Sequence, residues 1–185
     1  DKTTLTGIGT IARRALTLGA VAAQTKTYDG NTAADASKFR GALAGVVKGE
    51  ENSVSATAGG AAYNDKNVAR ANTVRYTGVA LTGTGTANYT IAGTAEGAGR
   101  ITPKQLNLAL AGGARFDKTY DGNASVKQSL TKGTHYTLTG FVGTEGAGIE
   151  LGSATGKYTD KNAGADKNVR FDGLSLTGAG AGNYT

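Results

Sequence analysis

The sequence contains no cysteine, no methionine and no tryptophan, and only one histidine and one proline among its 185 residues. Without cysteine, a disulfide framework, a thiolate zinc site and a thiol nucleophile are excluded. One histidine excludes a multi-histidine metal site. No apolar run approaches the roughly 20 residues that would span a bilayer, so we expect no membrane insertion. Large apolar residues are also scarce, since Val, Ile, Leu and Phe together make up 32 of 185 residues.

The charge of the chain is modest and evenly spread. The net charge is +6, and residues 1–98 and 99–185 each carry 10 Lys and Arg against 7 Asp and Glu. Few apolar residues favour disorder when the net charge is also high, but here the apolar residues recur in short ordered blocks. We therefore expect a folded chain with small cores. The dispersed charge argues against nucleic-acid binding, which needs a concentrated basic surface.

An internal duplication organises the sequence. The hexapeptide Lys-Thr-Tyr-Asp-Gly-Asn occurs at residues 26–31 and again at residues 118–123. Further blocks follow in the same order in both halves, with an offset that settles at 95 residues. These blocks are residues 43–47 with 138–142, Glu50 with Glu145, 63–67 with 158–162, 74–76 with 169–171, 81–83 with 176–178, and 88–90 with 183–185.

The duplication predicts the domain boundaries. We expect a first repeat over residues 9–99 and a second over residues 100–185, with residues 1–8 as the tail of a preceding repeat. The second repeat stops before any counterpart of residues 91–99, so it is predicted to lack its final strand and to expose a strand edge. The junction carries the one proline, Pro103, which predicts a stiff connection between repeats arranged end to end in a longer array.

The local pattern is typical of strands. Residues 73–81 alternate between apolar and polar side chains, and a glycine in the middle, Gly78, shifts the phase as a bulge does. Residues 169–176 repeat this pattern around Gly173. Only residues 33–40 could form a short helical turn. We therefore predict an all-β chain of two tandem β-sandwich or β-grasp-like repeats.

The turns are predicted from their aspartates, glycines and asparagines. Asp29-Gly30 and Asp121-Gly122 place glycine where a turn needs positive φ, and each aspartate can hold its turn by a side-chain-to-backbone hydrogen bond. The Asp-Lys-Asn triplet of each repeat is also predicted to turn, with its asparagine in the left-handed conformation. Those triplets are residues 65–67 and 160–162.

Aromatic residues recur at equivalent positions. The pairs are Tyr28 with Tyr120, Tyr63 with Tyr158, Tyr76 with Phe171, and Tyr89 with Tyr184. One interpretation makes them core residues whose hydroxyls find backbone partners. The other makes them a platform on which sugars stack. The alternation places Tyr76 and Phe171 on the apolar face, which favours the first.

Catalysis and metal binding have few candidates. Asp29 with Asp65, and Asp121 with Asp160, are considered as acid–base pairs, but both repeats carry them without a nucleophile or base, so no enzyme is expected. Aspartate and asparagine oxygens suit Ca²⁺, yet no dense Asp-x-Asp spacing occurs; no cofactor is expected, and calcium stays an open alternative. A Lys–Asn isopeptide crosslink also stays open. The lone His135 is expected in a solvated or edge position.

The duplicated sequence blocks resemble the YDG/MBG-type tandem repeats of large bacterial adhesins. These adhesins are filamentous-haemagglutinin-like and two-partner-secreted, and they include adhesins of the biofilm matrix. The matching pattern is Ile-Thr-Pro-Lys at a repeat start, then Lys-x-Tyr-Asp-Gly-Asn, Leu-x-Gly-Val, Asp-Lys-Asn, Gly-x-x-Leu-x-Gly, and Asn-Tyr before the last strand. The first repeat departs from it by having Ile-Ala-Arg-Arg at residues 11–14. The matching residues are Tyr28, Asp29, Gly30, Asp65, Asn67, Asn88 and Tyr89 in the first repeat, and Tyr120, Asp121, Gly122, Asp160, Asn162, Asn183 and Tyr184 in the second.

The resemblance implies a structural stalk or spacer, exported to the cell surface with an outer-membrane secretion partner and acting in cell–cell, surface or matrix adhesion. Its implied partners are neighbouring repeats of the same polypeptide. The alternative is a carbohydrate-binding module for matrix polysaccharide or a host glycan. The family motif transfers no catalytic, cofactor or metal residues, and the ligand-binding residues stay unassigned.

Overall fold

The computed structural model describes residues 3–185, so the predicted tail at residues 1–8 falls partly outside the described residues, at positions 1 and 2. The fold is mainly β, which confirms the predicted fold class. The strands are β1 (Arg14–Ala15), β2 (Thr17–Val21), β3 (Gln24–Thr27), β4 (Gly41–Ala44), β5 (Ser55–Thr57), β6 (Gly60–Tyr63), β7 (Thr73–Thr77), β8 (Ala80–Thr82), β9 (Tyr89–Thr90), β10 (Thr94–Thr102), β11 (Asn107–Leu110), β12 (Tyr136–Thr139), β13 (Glu150–Leu151), β14 (Thr155–Tyr158), β15 (Val169–Asp172) and β16 (Leu176–Thr177).

Helical structure is limited to single 3-10 turns in the described chain. They span Ala36–Lys38, Thr86–Asn88, Glu145–Gly148 and Ala181–Asn183. The first lies inside the segment expected to form a helical turn, and the Asp35 carboxylate caps it by accepting a hydrogen bond from the Ser37 backbone N–H. None of the helices found between residues 3 and 185 is long and apolar enough to cross a bilayer.

The chain forms two compact units whose limits differ from those of the sequence repeats. Unit 1 takes the chain up to Lys26, then Thr32–Asp65 and Arg70–Arg100. Unit 2 takes Ile101–Thr185 together with two short segments of the first repeat, Thr27–Asn31 and Lys66–Ala69. The first Tyr-Asp-Gly turn therefore belongs to unit 2.

Unit 1 is built around a four-stranded sheet with the order β3-β10-β7-β6. β10 and β6 both pair antiparallel with β7, on its two sides. Three two-stranded pairs complete the unit: β2 with β4, β5 with β8, and the parallel pair of β1 with β9.

Unit 2 repeats this pairing in the same register. Leu108 lies opposite Leu138 in β11–β12, as Leu18 lies opposite Leu43 in β2–β4. Leu151 likewise lies opposite Leu176 in β13–β16, as Ala56 lies opposite Leu81 in β5–β8. Tyr158 lies opposite Val169 in β14–β15, as Tyr63 lies opposite Val74 in β6–β7. The duplication read from the sequence therefore extends to the hydrogen-bonded pairing of the strands.

The glycine in the middle of each alternating segment ends one strand and starts another in a different pair. Gly78 has φ of 61° and Gly173 has φ of 72°. On either side of Gly78, β7 pairs with β6 and β10, whereas β8 pairs with β5. The predicted bulge is thus a corner at which the chain changes sheets.

The cores are small and rely on aromatic residues. In unit 1, Leu16, Val54 and Tyr89 form a buried cluster, and the buried ring of Tyr76 packs edge-on against Phe39. The Tyr76 hydroxyl accepts a hydrogen bond of 2.7 Å from the buried Gln24 side chain. Of the eight paired aromatics, the buried ones are Tyr28, Tyr63, Tyr76, Tyr89 and Tyr184.

Unit 2 leaves some of its leucines uncovered. Leu108, Leu110 and Leu174 are exposed. β15 pairs only with β14, whereas its counterpart β7 has partners on both sides. Within the described residues, one edge of β15 is therefore unpaired.

Candidate functional site

A cluster of motif residues in unit 2 centres on the carboxylate of Glu145. The Tyr28 hydroxyl donates to its two oxygens at 2.8 and 3.0 Å, and the Tyr184 hydroxyl donates at 2.5 Å. The Lys66 ammonium lies 3.8 Å from the same group. We call Glu145, Asn183 and Tyr184 the acceptor face of the second repeat.

Backbone geometry delivers Tyr28 to this carboxylate. Tyr28 follows β3, and its backbone N–H donates to the Thr102 carbonyl. The Asp29 carboxylate accepts from the Asn31 N–H, which closes the turn as predicted. Gly30 has φ of 82°, and a Cβ there would lie 2.8 Å from a methyl carbon of Val142. Glycine is therefore needed both for the turn and for the close approach.

A second contact lies beside the first and uses the Asp-Lys-Asn block. The buried Asn183 accepts from the Val68 N–H at 2.9 Å and donates to the Asn67 side chain at 3.0 Å. Its carbonyl accepts from the Lys104 N–H. We call Tyr28 and Asn67 the turn face of the first repeat. In unit 2 this turn face is joined to the acceptor face of the second repeat.

The cluster shifts the ionisation of its own members. Burial and the hydrogen bond to Glu145 raise the pKa of Tyr28 from 10.0 to about 12. Burial and the same carboxylate also raise the pKa of Tyr184. The hydrogen bond from Tyr184, with a smaller contribution from Tyr28, lowers the pKa of Glu145. At neutral pH the group is therefore one carboxylate held by two neutral phenols.

The first repeat has its own acceptor face, formed by Glu50, Asn88 and Tyr89. The Tyr89 hydroxyl donates to Glu50 at 2.6 Å and accepts from the Val47 N–H at 3.1 Å, and the hydrogen bond to Glu50 raises the pKa of Tyr89. This matches the Tyr184–Glu145 pair and the bond from the Val142 N–H to Tyr184. Asn88, however, is exposed, whereas its counterpart Asn183 is buried.

The second repeat has its own turn face, formed by Tyr120 and Asn162. The Tyr120 side chain is 60 % exposed, against 2 % for Tyr28, and Asn162 is also exposed. The local turn is nevertheless intact, since Gly122 has φ of 81° and the Asp121 carboxylate accepts from the Asn123 N–H. The difference in exposure lies in the surroundings of the turn and not in its conformation.

The Asp-Lys-Asn turns are closed differently from the prediction. Asn67 and Asn162 do not have positive φ; among the described non-glycine residues, Asp166 alone does. The Asp160 carboxylate accepts from the Asn162 N–H at 2.8 Å, so the first residue of the triplet holds this turn and the left-handed prediction was wrong. Asp65 is half-buried and ends a segment of unit 1.

The carboxylates considered for acid–base chemistry have structural partners. Asp121 lies 2.7 Å from the Lys118 ammonium and 2.9 Å from that of Lys127, and Asp160 lies 2.6 Å from Lys167. Hydrogen bonds from these lysines lower the pKa of both carboxyl groups, which disfavours a role as proton donor near neutral pH. Asp29 lies in unit 2 and Asp65 in unit 1.

The remaining candidates concern metal ions and histidine. Across residues 3–185 no three side chains of His, Asp or Glu are grouped closely enough to hold a metal ion. His135 lies in the turn before β12, where its Nδ1 accepts from the Thr131 N–H at 3.0 Å and its ring stacks on Phe116. It acts there as a turn cap beside a strand.

The motif residues predicted from the sequence leave out two kinds of side chain that hold these sites together. Glu50 and Glu145 carry the hydrogen bonds of the acceptor faces, and the signal for them was present, since they match in the repeat alignment. The second kind is the lysine at the first position of the Lys-Thr-Tyr-Asp-Gly-Asn hexapeptide. Lys118 donates to Asp121, to Asn123 and to the Ser125 carbonyl, and so holds the whole turn.

Unit 2 also has a groove of about 570 Å³ beside the second Tyr-Asp-Gly turn. Its lining includes Phe116, Tyr120, Tyr158, Asn162 and Phe171. Tyr120 and Asn162, which form the turn face of the second repeat, therefore line the same groove. A groove of about 420 Å³ in the same unit is lined mostly by leucines, and unit 1 has one of about 610 Å³ beside β4 and β5.

A family model of the YDG domain matches residues 12–96 and again residues 102–185. No curated protein and no solved structure matches the chain. The two matched ranges together cover most of the sequence, and they contain every residue of both turn faces and both acceptor faces.

Proposed function

Because the chain belongs to the YDG domain family and carries two such domains in tandem, we propose that it is a non-enzymatic structural segment of a large extracellular bacterial adhesin. In this role the repeats form a stalk or spacer, and neighbouring repeats of the same polypeptide are its main partners. The parent protein acts in cell–cell, surface or biofilm-matrix adhesion.

This proposal rests on the hydrogen bonds that the motif residues make. Tyr28, Asn67, Asn183 and Tyr184 bond to one another or to Glu145 inside unit 2. They come from two different sequence repeats. Motif residues that bind across repeats favour a chain whose task is to link repeats, because side chains occupied in this way are not available to a substrate.

The cellular setting is proposed from the sequence resemblance. The motif blocks, which recur in the same order in both repeats, resemble those of filamentous-haemagglutinin-like adhesins that leave the cell by two-partner secretion. We therefore place the parent protein at the cell surface or in the extracellular matrix, with an outer-membrane protein as its secretion partner. A chain without cysteine is compatible with export, since its folding needs no disulfide formation.

Labelling of intact cells tests the location. An antibody raised against the 185-residue chain is expected to label unpermeabilised cells of the producing bacterium, and external protease is expected to remove the signal. A cytoplasmic protein serves as the control that must survive the protease. Signal that appears only after permeabilisation would contradict the proposal.

Small-angle scattering of the purified chain tests the spacer role. Two compact units of this size are each expected to span on the order of 30–40 Å, so an end-to-end pair gives a maximum dimension near twice that value. A distance distribution of a single sphere would count against a stalk.

The second candidate function is carbohydrate binding. The groove beside Tyr120 favours it, because exposed aromatic rings with neighbouring amide and carboxylate groups suit the faces and hydroxyls of sugars. A glycan array that includes matrix polysaccharides separates the two functions. Saturable binding that is lost in Tyr158→Ala, while the variant keeps its far-ultraviolet spectrum, would support the module; a spacer gives no saturable binding.

A further inference from the structure

Each repeat carries both halves of one interface, a turn face and an acceptor face, and among the described residues one turn face is joined to one acceptor face. The turn face of the first repeat (Tyr28, Asn67) is bound to the acceptor face of the second (Glu145, Asn183, Tyr184) inside unit 2. The turn face of the second repeat (Tyr120, Asn162) and the acceptor face of the first (Glu50, Asn88, Tyr89) have no such counterpart among the described residues.

We propose that the Tyr120 turn face is a docking site for the acceptor face of another YDG domain, and that the Glu50–Tyr89 acceptor face receives the turn of another. The occupant in each case is a second YDG repeat of this chain's own kind. This proposal rests on the proposed function, because it treats the chain as part of a repeat array, and it names the atoms that join the repeats.

The free turn is already in the docking conformation. The two hexapeptides are identical in sequence. Their glycines have nearly the same φ, 82° at Gly30 and 81° at Gly122, and their aspartates accept the same backbone bond at the same 3.2 Å. Docking therefore needs no rearrangement of the turn backbone, which lowers its entropic cost.

The free acceptor face is also preformed. The Tyr89 hydroxyl donates to Glu50 and accepts from Val47, as Tyr184 does with Glu145 and Val142. Glu145 accepts hydroxyl bonds from two tyrosines, whereas Glu50 has one tyrosine partner. A carboxylate can accept several hydrogen bonds, so Glu50 can take a second phenol.

The exposed polar residues agree with this assignment. Asn183 is 5 % exposed because it bonds to Asn67 and Val68. Its counterpart Asn88 and the counterpart of Asn67, Asn162, are both exposed. An incoming repeat would cover them in the same way. Because the two faces are different surfaces, their contact is heterologous and extends into a chain of repeats instead of closing into a dimer.

The test uses an extended chain in which residues 1–185 are followed directly by a second copy of residues 91–185. The added copy carries Tyr120→Phe, so that the peptide of the original Tyr120 is distinguished from its duplicate. The added residues 91–99 complete the second repeat, and the rest supplies a third with its own acceptor face. Nitration of Tyr120 by tetranitromethane, followed by mass spectrometry of its peptide, is expected to slow at least about tenfold relative to the 185-residue chain, because a docked tyrosine reacts only from the open state.

Matched variants in the added copy identify the contact. Glu145→Gln or Asn183→Ala in that copy is expected to restore Tyr120 nitration towards the rate in the 185-residue chain, whereas Glu150→Gln, at an exposed strand position, leaves it slow. Amide exchange of the added β-strands reports whether each variant is folded. Unchanged nitration in a folded extended chain, or slow nitration that survives Glu145→Gln, would overturn the proposal.

If the extended chain does not fold, the 185-residue chain itself answers the question. At rising concentration, nuclear magnetic resonance shifts are expected at residues 120–123 and 162 together with residues 50, 88 and 89, and Tyr120→Ala is expected to remove both sets. Shifts at neither set up to about 1 mM, the effective concentration that a short tether supplies, would overturn it. Neither readout depends on cell-surface location, so failure of docking and failure of the adhesin role are distinguishable.

Discussion

Tyr28 and Tyr184 lie edge to face with 5.4 Å between their ring centroids, and both hydroxyls donate to the carboxylate of Glu145. The two tyrosines come from different sequence repeats but lie in one compact unit. Phe141 also packs edge-on against Tyr184, with 5.2 Å between their ring centroids. The stability of unit 2 is therefore expected to depend on a turn that the first repeat supplies.

Removing the shared carboxylate should destabilise unit 2. In Glu145→Gln the amide can accept from one tyrosine hydroxyl while its NH₂ group faces the other, so a loss of about 1–3 kcal/mol in the free energy of unfolding is expected. Denaturant unfolding followed by amide exchange of β11 and β12 measures it.

Glu50→Gln is the matched control for that substitution, because Glu50 makes the same bond to one tyrosine instead of two. Its effect is expected in unit 1 and to be smaller. Equal losses for the two variants would show that the Tyr28 bond contributes nothing.

The stability of unit 2 should fall at alkaline pH through Tyr28. Its pKa is raised from 10.0 to about 12 in the folded chain, so the native state holds the phenolic proton more tightly than the unfolded state. The contribution is complete below pH 10 and is lost as the pH rises towards 12. We expect the difference in Tm between the natural chain and Tyr28→Phe to shrink over that interval. A difference that stays constant would contradict the raised pKa that burial and the hydrogen bond to Glu145 give Tyr28.

At acidic pH the same cluster should weaken through Glu145. Its pKa is lowered in the folded chain from the ordinary 4.5, so the stabilisation is present above pH 4.5 and is lost as the pH falls through the folded value. In Glu145→Gln this acid-sensitive part of the unfolding free energy should be absent. An acid profile identical to that of the natural chain would place the sensitivity elsewhere.

Alanine at Gly178 should destabilise unit 2 severely. This glycine has φ of 107°, and an added Cβ would overlap the carbonyl oxygen of Gly148. Backbone atoms cannot move away as a flexible side chain could, so a loss above about 2 kcal/mol is expected, larger than the 1–2 kcal/mol of a left-handed residue alone. Gly113→Ala, at φ of 78° in open space, controls for conformation. Equal losses would remove the steric argument.

A strand added beside β15 should stabilise unit 2. The chain extended after Thr185 by a copy of residues 91–99 provides a partner for the unpaired edge of β15, and a gain near 1 kcal/mol would raise the Tm by about 5 °C. A control extension carries Gly99→Val, because in unit 1 a Cβ at Gly99 would lie 2.8 Å from the backbone of Thr73. No gain, or the same gain with the valine, would mean that the strand does not pair there.

The sequence by itself determined the local structure, since the forces involved act over a few residues. Alternation placed Val74 and Tyr76 in a core-facing strand, and both are fully buried. Gly78 and Gly173 marked the corners, and the Asp-Gly pairs marked the turns. The duplication was visible as repeated letters, and it reappears as repeated strand register. The local prediction failed at Asn67 and Asn162, neither of which is left-handed. At Asn162, the Asp160 side chain closes the turn instead.

Only the tertiary structure decided which partner each motif residue meets. Tyr28 and Tyr120 lie in identical hexapeptides, yet one is 2 % exposed and the other 60 %. Asn183 and Asn88 differ in the same way. Identical local sequences have identical local preferences, so the difference in exposure arises from residues more than 100 positions away. For Tyr28 the most important of these is Glu145, which the fold brings into hydrogen-bonding distance. Burial depends on such contacts, and no window of sequence contains them.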